Sequence, residues 1–125
     1  MGWFLTASAL ATFLVLGCGD DEAPSADFTV EVQTARFFPS QLSVPVGSTV
    51  RWVNVNPRDS LRTVTSGTGV DDPEAGAAFD DTLSGYAQGS TEGESVIHQF
   101  DDRGTFYYFS RIPQGSDFTG RVEVQ

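Results

Sequence analysis

Residues 41–55, QLSVPVGSTVRWVNV, contain two short apolar segments on either side of a turn signature. Leu42 and Val44 alternate with polar residues before the turn, and Val50 and Trp52 alternate with Arg51 and Thr49 after it. An alternation with a period of two is typical of strands that bury one face. The Pro-Val-Gly between the two segments favours a turn. The stretch therefore predicts two β-strands joined by a tight connection.

The flanking sequence repeats this pattern. Further strands are predicted at FTVEV (28–32), RTVTS (62–66), ESVIHQF (94–100), GTFYYFS (104–110) and TGRVEVQ (119–125). No window shows helical spacing for more than a turn or two. The acidic, Gly- and Ser-rich region 67–93 is long for a loop, and we expect a short strand or helix near AAFDDTL (77–83). Seven or so antiparallel strands predict an all-β domain, a Greek-key β-sandwich of about seven to eight strands.

The N-terminal segment has a different composition. Residues 3–16 form an apolar run that is too short to span a bilayer comfortably and fits a secretory signal peptide over residues 1–17. Gly17 and Cys18 end this run and resemble the processing box of bacterial lipoproteins, in which the cysteine is acylated. The alternative is a free cysteine within an ordinary cleaved signal. Residues 18–27 then form a lipidated, acidic tether, and residues 28–125 form the folded domain.

This organisation predicts an exported protein of the bacterial cell envelope. A lipid anchor at Cys18 would attach it to a membrane, with its domain in the periplasm or at the cell surface. The formal net charge of −10 argues against nucleic acid as a partner, because phosphate binding depends on clustered Lys and Arg. With one cysteine, the chain has no intrachain disulfide.

Five segments, taken together and in this order, resemble the cupredoxin family of plastocyanin- and azurin-type blue-copper domains. They are FFPSQLSVPVGSTVRWVNVN (37–56), RTVTSGTG (62–69), FDDTL (79–83), QFDDRGTFYYFS (99–110) and QGSDFTGRVEV (114–124). Any one of them alone would be weak. The resemblance covers essentially the whole domain and implies the cupredoxin fold.

The same resemblance implies where copper would be bound. The family's two histidines, cysteine and methionine correspond to Arg62, Pro113, Ser110 and Phe118 of this sequence. A guanidinium has no acceptor lone pair, proline and phenylalanine have no donor atom, and a serine hydroxyl cannot replace a thiolate. We therefore expect no cofactor and a redox-silent domain. The alternative, implied by family membership alone, is a copper-binding electron-transfer protein.

Other metal sites and catalysis find little support in the sequence. His98, the sole histidine, lies in a predicted strand and is interpreted as a partly buried strand residue, because one histidine without Cys or Met is poor copper chemistry. The pairs Asp71–Asp72 and Asp80–Asp81 have the oxygen ligands that calcium prefers, but they do not match an EF-hand loop and are interpreted as solvated acidic turns. A nucleophile needs an activating base within reach, usually a histidine, but the single histidine lies in a predicted strand and YYFSRIPQG (107–115) matches no nucleophile-elbow pattern. We therefore predict that the protein is not an enzyme.

One hypothesis concerns charge. Arg62 would project into the corner where relatives hold copper, and its guanidinium would replace the metal's positive charge by pairing with Asp59 or Asp117 and bonding Ser110. The alternative is that Arg62 points to solvent.

A second hypothesis concerns the surface. Ile112, Pro113 and Phe118 would form an apolar patch at the ligand loop that docks a protein partner of the envelope. The alternative is that Phe118 turns inward and fills the space of the missing metal. The predicted function is therefore binding or scaffolding at the cell envelope.

Overall fold

The computed structural model describes residues 25–113 and 117–125. The predicted signal peptide, Cys18 and most of the predicted tether lie outside the described residues. The first strand begins at Phe28, and Asp27 just before it is tied to the next strand of its sheet. The Asp27 N–H donates to Thr49 Oγ1 at 3.0 Å, and Asp27 Oδ2 accepts from the Thr49 N–H at 3.0 Å.

The described residues contain nine strands and no helix. Among them, no segment forms a helix long and apolar enough to cross a membrane. The chain has two more short strands than the sequence pattern resolved, one at Phe37–Phe38 and one within the predicted 77–83 region. In chain order the strands are β1 (Phe28–Val32), β2 (Phe37–Phe38), β3 (Gln41–Val44), β4 (Ser48–Asn54), β5 (Arg62–Ser66), β6 (Asp80–Leu83), β7 (Ser95–Phe100), β8 (Gly104–Phe109) and β9 (Thr119–Val124).

Two sheets form the sandwich. The first has the order β2-β1-β4-β7, and the second has the order β3-β9-β8-β5-β6. The prediction of a β-sandwich is confirmed, but the expectation of antiparallel strands throughout is wrong. The β1–β4 and β3–β9 pairs are parallel, because the chain crosses between the sheets before it returns to pair.

The core lies between the sheets and contains two groups of rings that touch in its middle. Phe37, Tyr108 and Phe118, called here the corner rings, are almost completely buried. Their centroids are 4.6 Å apart for Phe37–Tyr108 and 4.7 Å apart for Phe37–Phe118. Tyr108 also meets Trp52 edge-on at 5.2 Å, and Trp52 leads to the second group. Such tilted and edge contacts are the favoured geometries of aromatic pairs.

The second group, called here the recess rings, consists of Phe79, His98, Phe100 and Phe106. Phe79 and His98 stack at 4.5 Å, and Phe100 and Phe106 lie 5.4 Å apart. Only Phe100 is fully buried, whereas the other three are partly exposed. Phe106 and Tyr108 are two residues apart on β8, about 7 Å along an extended strand, so the two groups are neighbours on the same strand.

Gly120 on β9 makes room for the Tyr108 ring. The two residues are directly paired between β8 and β9. A Cβ at position 120 would lie 2.5 Å from the Tyr108 hydroxyl, far inside contact distance. The glycine of the sequence GRVEV therefore serves the packing of a large ring against bare backbone.

Candidate functional site

The fold brings together three of the four positions that correspond to copper ligands. Arg62 begins β5, Ser110 follows β8, and Phe118 precedes β9. The N–H of Thr63, next to Arg62, donates to Ser110 Oγ at 3.0 Å, and the Ser110 N–H donates to the Phe118 carbonyl at 2.9 Å. Pro113 lies on the connecting loop, of which residues 114–116 are outside the described part. These strand ends therefore lie together in the fold, at the place called here the corner.

Ser110 is a saturated structural group. Its side chain is buried, and its hydroxyl donates to the Ile112 carbonyl at 2.6 Å while accepting from the Thr63 N–H. A further N–H, that of Ile112, approaches the same oxygen at 3.3 Å. A buried hydroxyl with one donated and two accepted bonds has no capacity left for another ligand.

The charge hypothesis for Arg62 is wrong. Its Nε and Nη2 donate to the Thr34 carbonyl at 3.2 and 3.0 Å, and its Nη1 donates to the Leu61 carbonyl at 2.7 Å. Among the described residues, Arg62 forms no ion pair with Asp59 or Asp117. It also makes no hydrogen bond to Ser110 there. The guanidinium instead fastens the loop after β1 to the start of β5, because backbone carbonyls satisfy its planar donors.

The prediction that Phe118 contributes to an exposed docking patch is also wrong. Its side chain is 0 % exposed and lies among the corner rings beside Phe37. An aromatic ring beside a Phe and a Tyr in a closed core gains far more from burial than from solvent contact. The alternative, in which Phe118 turns inward, is the one that the structure shows.

Ile112 and Pro113 lie at the surface of the same corner. Ile112 is partly buried and Pro113 is exposed. Without the Phe118 ring they form a much smaller apolar surface than the sequence suggested, and isolated exposed apolar residues are ordinary on proteins.

A hydroxyl network on the outer face of β5 was not predicted from the sequence. Thr63 Oγ1 and Thr65 Oγ1 lie 2.9 Å apart, and Thr65 donates to Asp80 Oδ1 at 2.8 Å. Arg111 closes the network, since its N–H donates to Thr63 Oγ1 at 2.8 Å and its Nη2 meets Asp80 Oδ2 at 3.3 Å. Thr63 and Thr65 are both buried. The signal was available in RTVTS, where two threonines at a spacing of two must share one face of the strand.

These contacts decide whether copper fits the corner. The groups there are a guanidinium held by carbonyls, a saturated hydroxyl, a proline and a buried phenyl ring. Blue-copper sites use two imidazoles, a thiolate and a weak axial ligand. The residues present do not fit this metal. Elsewhere in residues 25–113 and 117–125, no cluster of three or more His, Cys, Asp or Glu side chains has a geometry able to hold a metal ion.

His98 contacts a residue of the opposite sheet. Its Nε2 lies 2.9 Å from Asp81 Oδ2, joining β7 at the edge of the first sheet to β6 at the edge of the second. The imidazole is 25 % exposed and stacks on Phe79. The interpretation of His98 as a partly buried strand residue agrees with this position.

The two acidic pairs do not converge on a common point. Asp80 joins the hydroxyl network, and Asp81 meets His98. Asp72 accepts from the N–H groups of Glu74 at 2.9 Å and Thr68 at 3.0 Å, and these bonds hold the pKa of its carboxyl below the ordinary value. Each of these three carboxylates thus stabilises a turn or a strand contact of its own.

Tyr108 is the one deeply buried titratable residue near the corner within the described part of the chain. Neither its hydroxyl nor Trp52 Nε1 makes a hydrogen bond there. Burial raises the pKa of Tyr108 to about 12, and the nearby indole offsets only part of this rise. The rings of Trp52 and Tyr108 meet edge-on, with their centroids 5.2 Å apart.

Solved structures with similar folds come from copper proteins. A purple cupredoxin from Nitrosopumilus maritimus aligns at a TM-score of 0.61 with 20% identity, covering 79% of this chain and all 100% of that one. An oxidized amicyanin variant aligns at 0.58 with 22% identity, covering 84% and 87% of the two chains. Oxidized plastocyanin from the fern Dryopteris crassirhizoma aligns at 0.56 with 18% identity, covering 78% and 99%.

Comparisons of sequence alone add nothing to this result. No protein-family model matches the chain. No curated protein matches it either. The nine-strand sandwich and the structural similarity together show that the described part of this chain has the cupredoxin fold.

Proposed function

We propose that this protein is a copper-free, redox-silent, non-catalytic cupredoxin-fold domain that acts by binding or scaffolding at the bacterial cell envelope. The observation that carries the proposal is the bonding of Ser110. In the position that corresponds to the copper thiolate, its hydroxyl is buried and already holds β5 and the loop after β8 together.

The surrounding residues support the same proposal. Arg62 donates to the Thr34 carbonyl, and Phe118 packs against Phe37. The residues of the corner therefore connect neighbouring segments of the sandwich. Electron transfer requires a metal with soft or imidazole ligands, and His98, the only imidazole, already contacts Asp81 and stacks on Phe79. The similar copper proteins therefore share the scaffold, and their chemistry is not carried over to this chain.

The test is a copper titration of residues 19–125. We expect no stoichiometric Cu(II) binding and no thiolate charge-transfer band. A one-to-one complex with reversible redox behaviour would overturn the proposal and favour the electron-transfer alternative.

A matched positive control makes the negative result informative. The combined variant Arg62→His, Ser110→Cys, Pro113→His and Phe118→Met restores the family's ligand types at the corresponding positions. If the correspondence is right, this variant gains copper and an intense visible band whereas the parent does not. A folded variant without copper would show that the correspondence of positions is wrong.

The anchor is proposed on the sequence alone, because Cys18 lies outside the described residues. A full-length chain expressed in a Gram-negative host is expected to incorporate a labelled fatty acid and to partition with membranes, whereas Cys18→Ala abolishes both. Labelling that persists in the variant would contradict the anchor. Loss of the anchor would leave the copper result unaffected, so the two parts of the proposal can fail separately.

A further inference from the structure

A recess opens at the end of β8 opposite the corner. It has a volume of about 180 Å³, and the residues that line it include the aromatic residues Phe79, His98, Phe100 and Phe106 and the acidic residues Asp101 and Asp102. Pockets for drug-sized ligands measure roughly 300–1,000 Å³, so this one suits a compact chemical group rather than a whole large molecule.

Phe106 makes fewer ring contacts than Phe79 within the recess rings. It contacts one other ring, that of Phe100, and is partly exposed. Phe79, in contrast, already meets His98, Trp52 and Phe100. The π-face of a phenyl ring carries partial negative charge and attracts cations within about 6 Å.

Asp101 and Asp102 add full negative charge at the rim. Both are exposed in the turn between β7 and β8, and neither has an ion pair or hydrogen bond with the described residues. Arg103 follows them, which leaves one negative charge in excess in this turn. Two carboxylates without partners beside an aromatic recess complement a positively charged ligand that is also apolar.

We propose that this recess binds an organic ammonium group, of the trimethylammonium or alkylammonium type, between the recess rings and the Asp101–Asp102 carboxylates. Quaternary ammonium ions combine positive charge with apolar methyl groups, and aromatic side chains are the usual means of recognising them. The inference goes beyond the function proposed above and does not depend on it, because the recess lies at the other end of the sandwich from the corner.

The test compares choline with 3,3-dimethylbutan-1-ol, its uncharged analogue of the same shape. The full chain is held in an uncharged detergent, and binding is followed by NMR shifts of Phe106, His98 and Phe79 side-chain resonances. We expect saturable shifts with choline and affinity about tenfold lower for the alcohol, the ratio that a moderate cation–π contact with nearby charge produces. The resonances around Glu31, an exposed carboxylate on β1 that is not among the residues lining the recess, serve as the internal control and are expected to stay unchanged.

Two variants separate the contributions. The double variant Asp101→Asn with Asp102→Asn changes only exposed side chains, so it should fold normally and lose several-fold in choline affinity without a change for the alcohol. Phe106→Leu keeps an apolar side chain of similar reach but removes the π-face, and it should reduce choline affinity as well. Equal affinity for choline and the alcohol, no saturable shift at any usable concentration, or equal shifts around Glu31 would each overturn the proposal.

Discussion

Aromatic and polar side chains lie at both ends of β8, but they differ in burial and in hydrogen bonding. At one end, the corner rings are closed off from solvent and Ser110 has all of its hydrogen bonds made. At the other end, the recess rings are partly exposed and the nearby Asp101 and Asp102 have no partner in the described residues. Of the two ends, it is the recess that leaves aromatic rings partly exposed beside carboxylates without partners in the described residues. One strand can therefore take part in a closed aromatic cluster and in a solvent-accessible one within the same sandwich.

The largest expected effect compares a ring from each end. Phe118→Ala would lower the free energy of unfolding by about 3–5 kcal/mol, because it leaves a cavity among the corner rings. Phe106→Ala removes a ring that solvent already reaches, so a loss of about 1–2 kcal/mol is expected. Urea unfolding of residues 19–125, followed by the fluorescence of Trp52, measures both. Equal losses would remove the distinction between a closed corner and an open recess.

Tyr108 makes the stability of the folded protein depend on pH in the alkaline range. Its folded-state pKa of about 12 lies above the ordinary value of 10.0, so the folded protein holds this proton more tightly than the unfolded chain. The corresponding stability is complete below pH 10 and is lost as pH rises towards and through 12. The total is on the order of 3 kcal/mol, because the folded protein holds the proton about a hundredfold more tightly and each tenfold corresponds to about 1.4 kcal/mol.

Tyr108→Phe tests this dependence without changing the shape of the core. At pH 7 its stability should stay within about 1 kcal/mol of the parent, since the hydroxyl has no hydrogen-bond partner to lose among the described residues. Between pH 10 and 12 the variant should become progressively more stable than the parent in the same unfolding experiment. Parallel curves for the two proteins over this range would show that the phenol reaches water in the folded state.

The third comparison uses two serines that both make side-chain hydrogen bonds. Ser110→Ala leaves the buried Thr63 N–H without its acceptor, and a loss of about 1–3 kcal/mol is expected. Ser43→Ala removes an exposed bond to Glu123 of 3.4 Å and should change stability by less than about 0.5 kcal/mol. A negligible effect at Ser110 would mean that water or another group can replace the hydroxyl, and the corner would then be less closed than its contacts indicate.

Much of the fold was predictable because alternation of side chains is a local property. The strands around Val44, Trp52 and Tyr108 follow from a period of two, and their apolar faces do form the core. The parallel pairs were not predictable in this way, since pairing depends on where the chain crosses between sheets. β2 was missed because two residues are too few to show a period.

The candidate site was predictable in position but only partly in contacts. The start of β5 does lie beside Ser110, whose hydroxyl accepts from the Thr63 N–H, but the Arg62 side chain does not bond Ser110 as the hypothesis required. A long side chain turns towards whichever hydrogen-bond acceptors the fold places within its reach. For Arg62 these acceptors are the Thr34 and Leu61 carbonyls rather than a carboxylate. The recess was missed because Phe79 lies more than twenty residues before Asp101 and Phe106 in the sequence and joins them only in the folded sandwich.

The smallest expected effect lies at the open end, in the His98–Asp81 pair. The two side chains join the edges of the sheets at 2.9 Å, but they are 25 % and 34 % exposed. Exposed pairs of this kind contribute about 0.2–1 kcal/mol, because water screens the charges and both side chains lose rotational freedom. A double-mutant cycle with His98→Gln and Asp81→Asn should return a coupling energy in that range. A coupling above about 2 kcal/mol would instead indicate a desolvated pair, and it would make this edge of the sandwich as firmly closed as the corner.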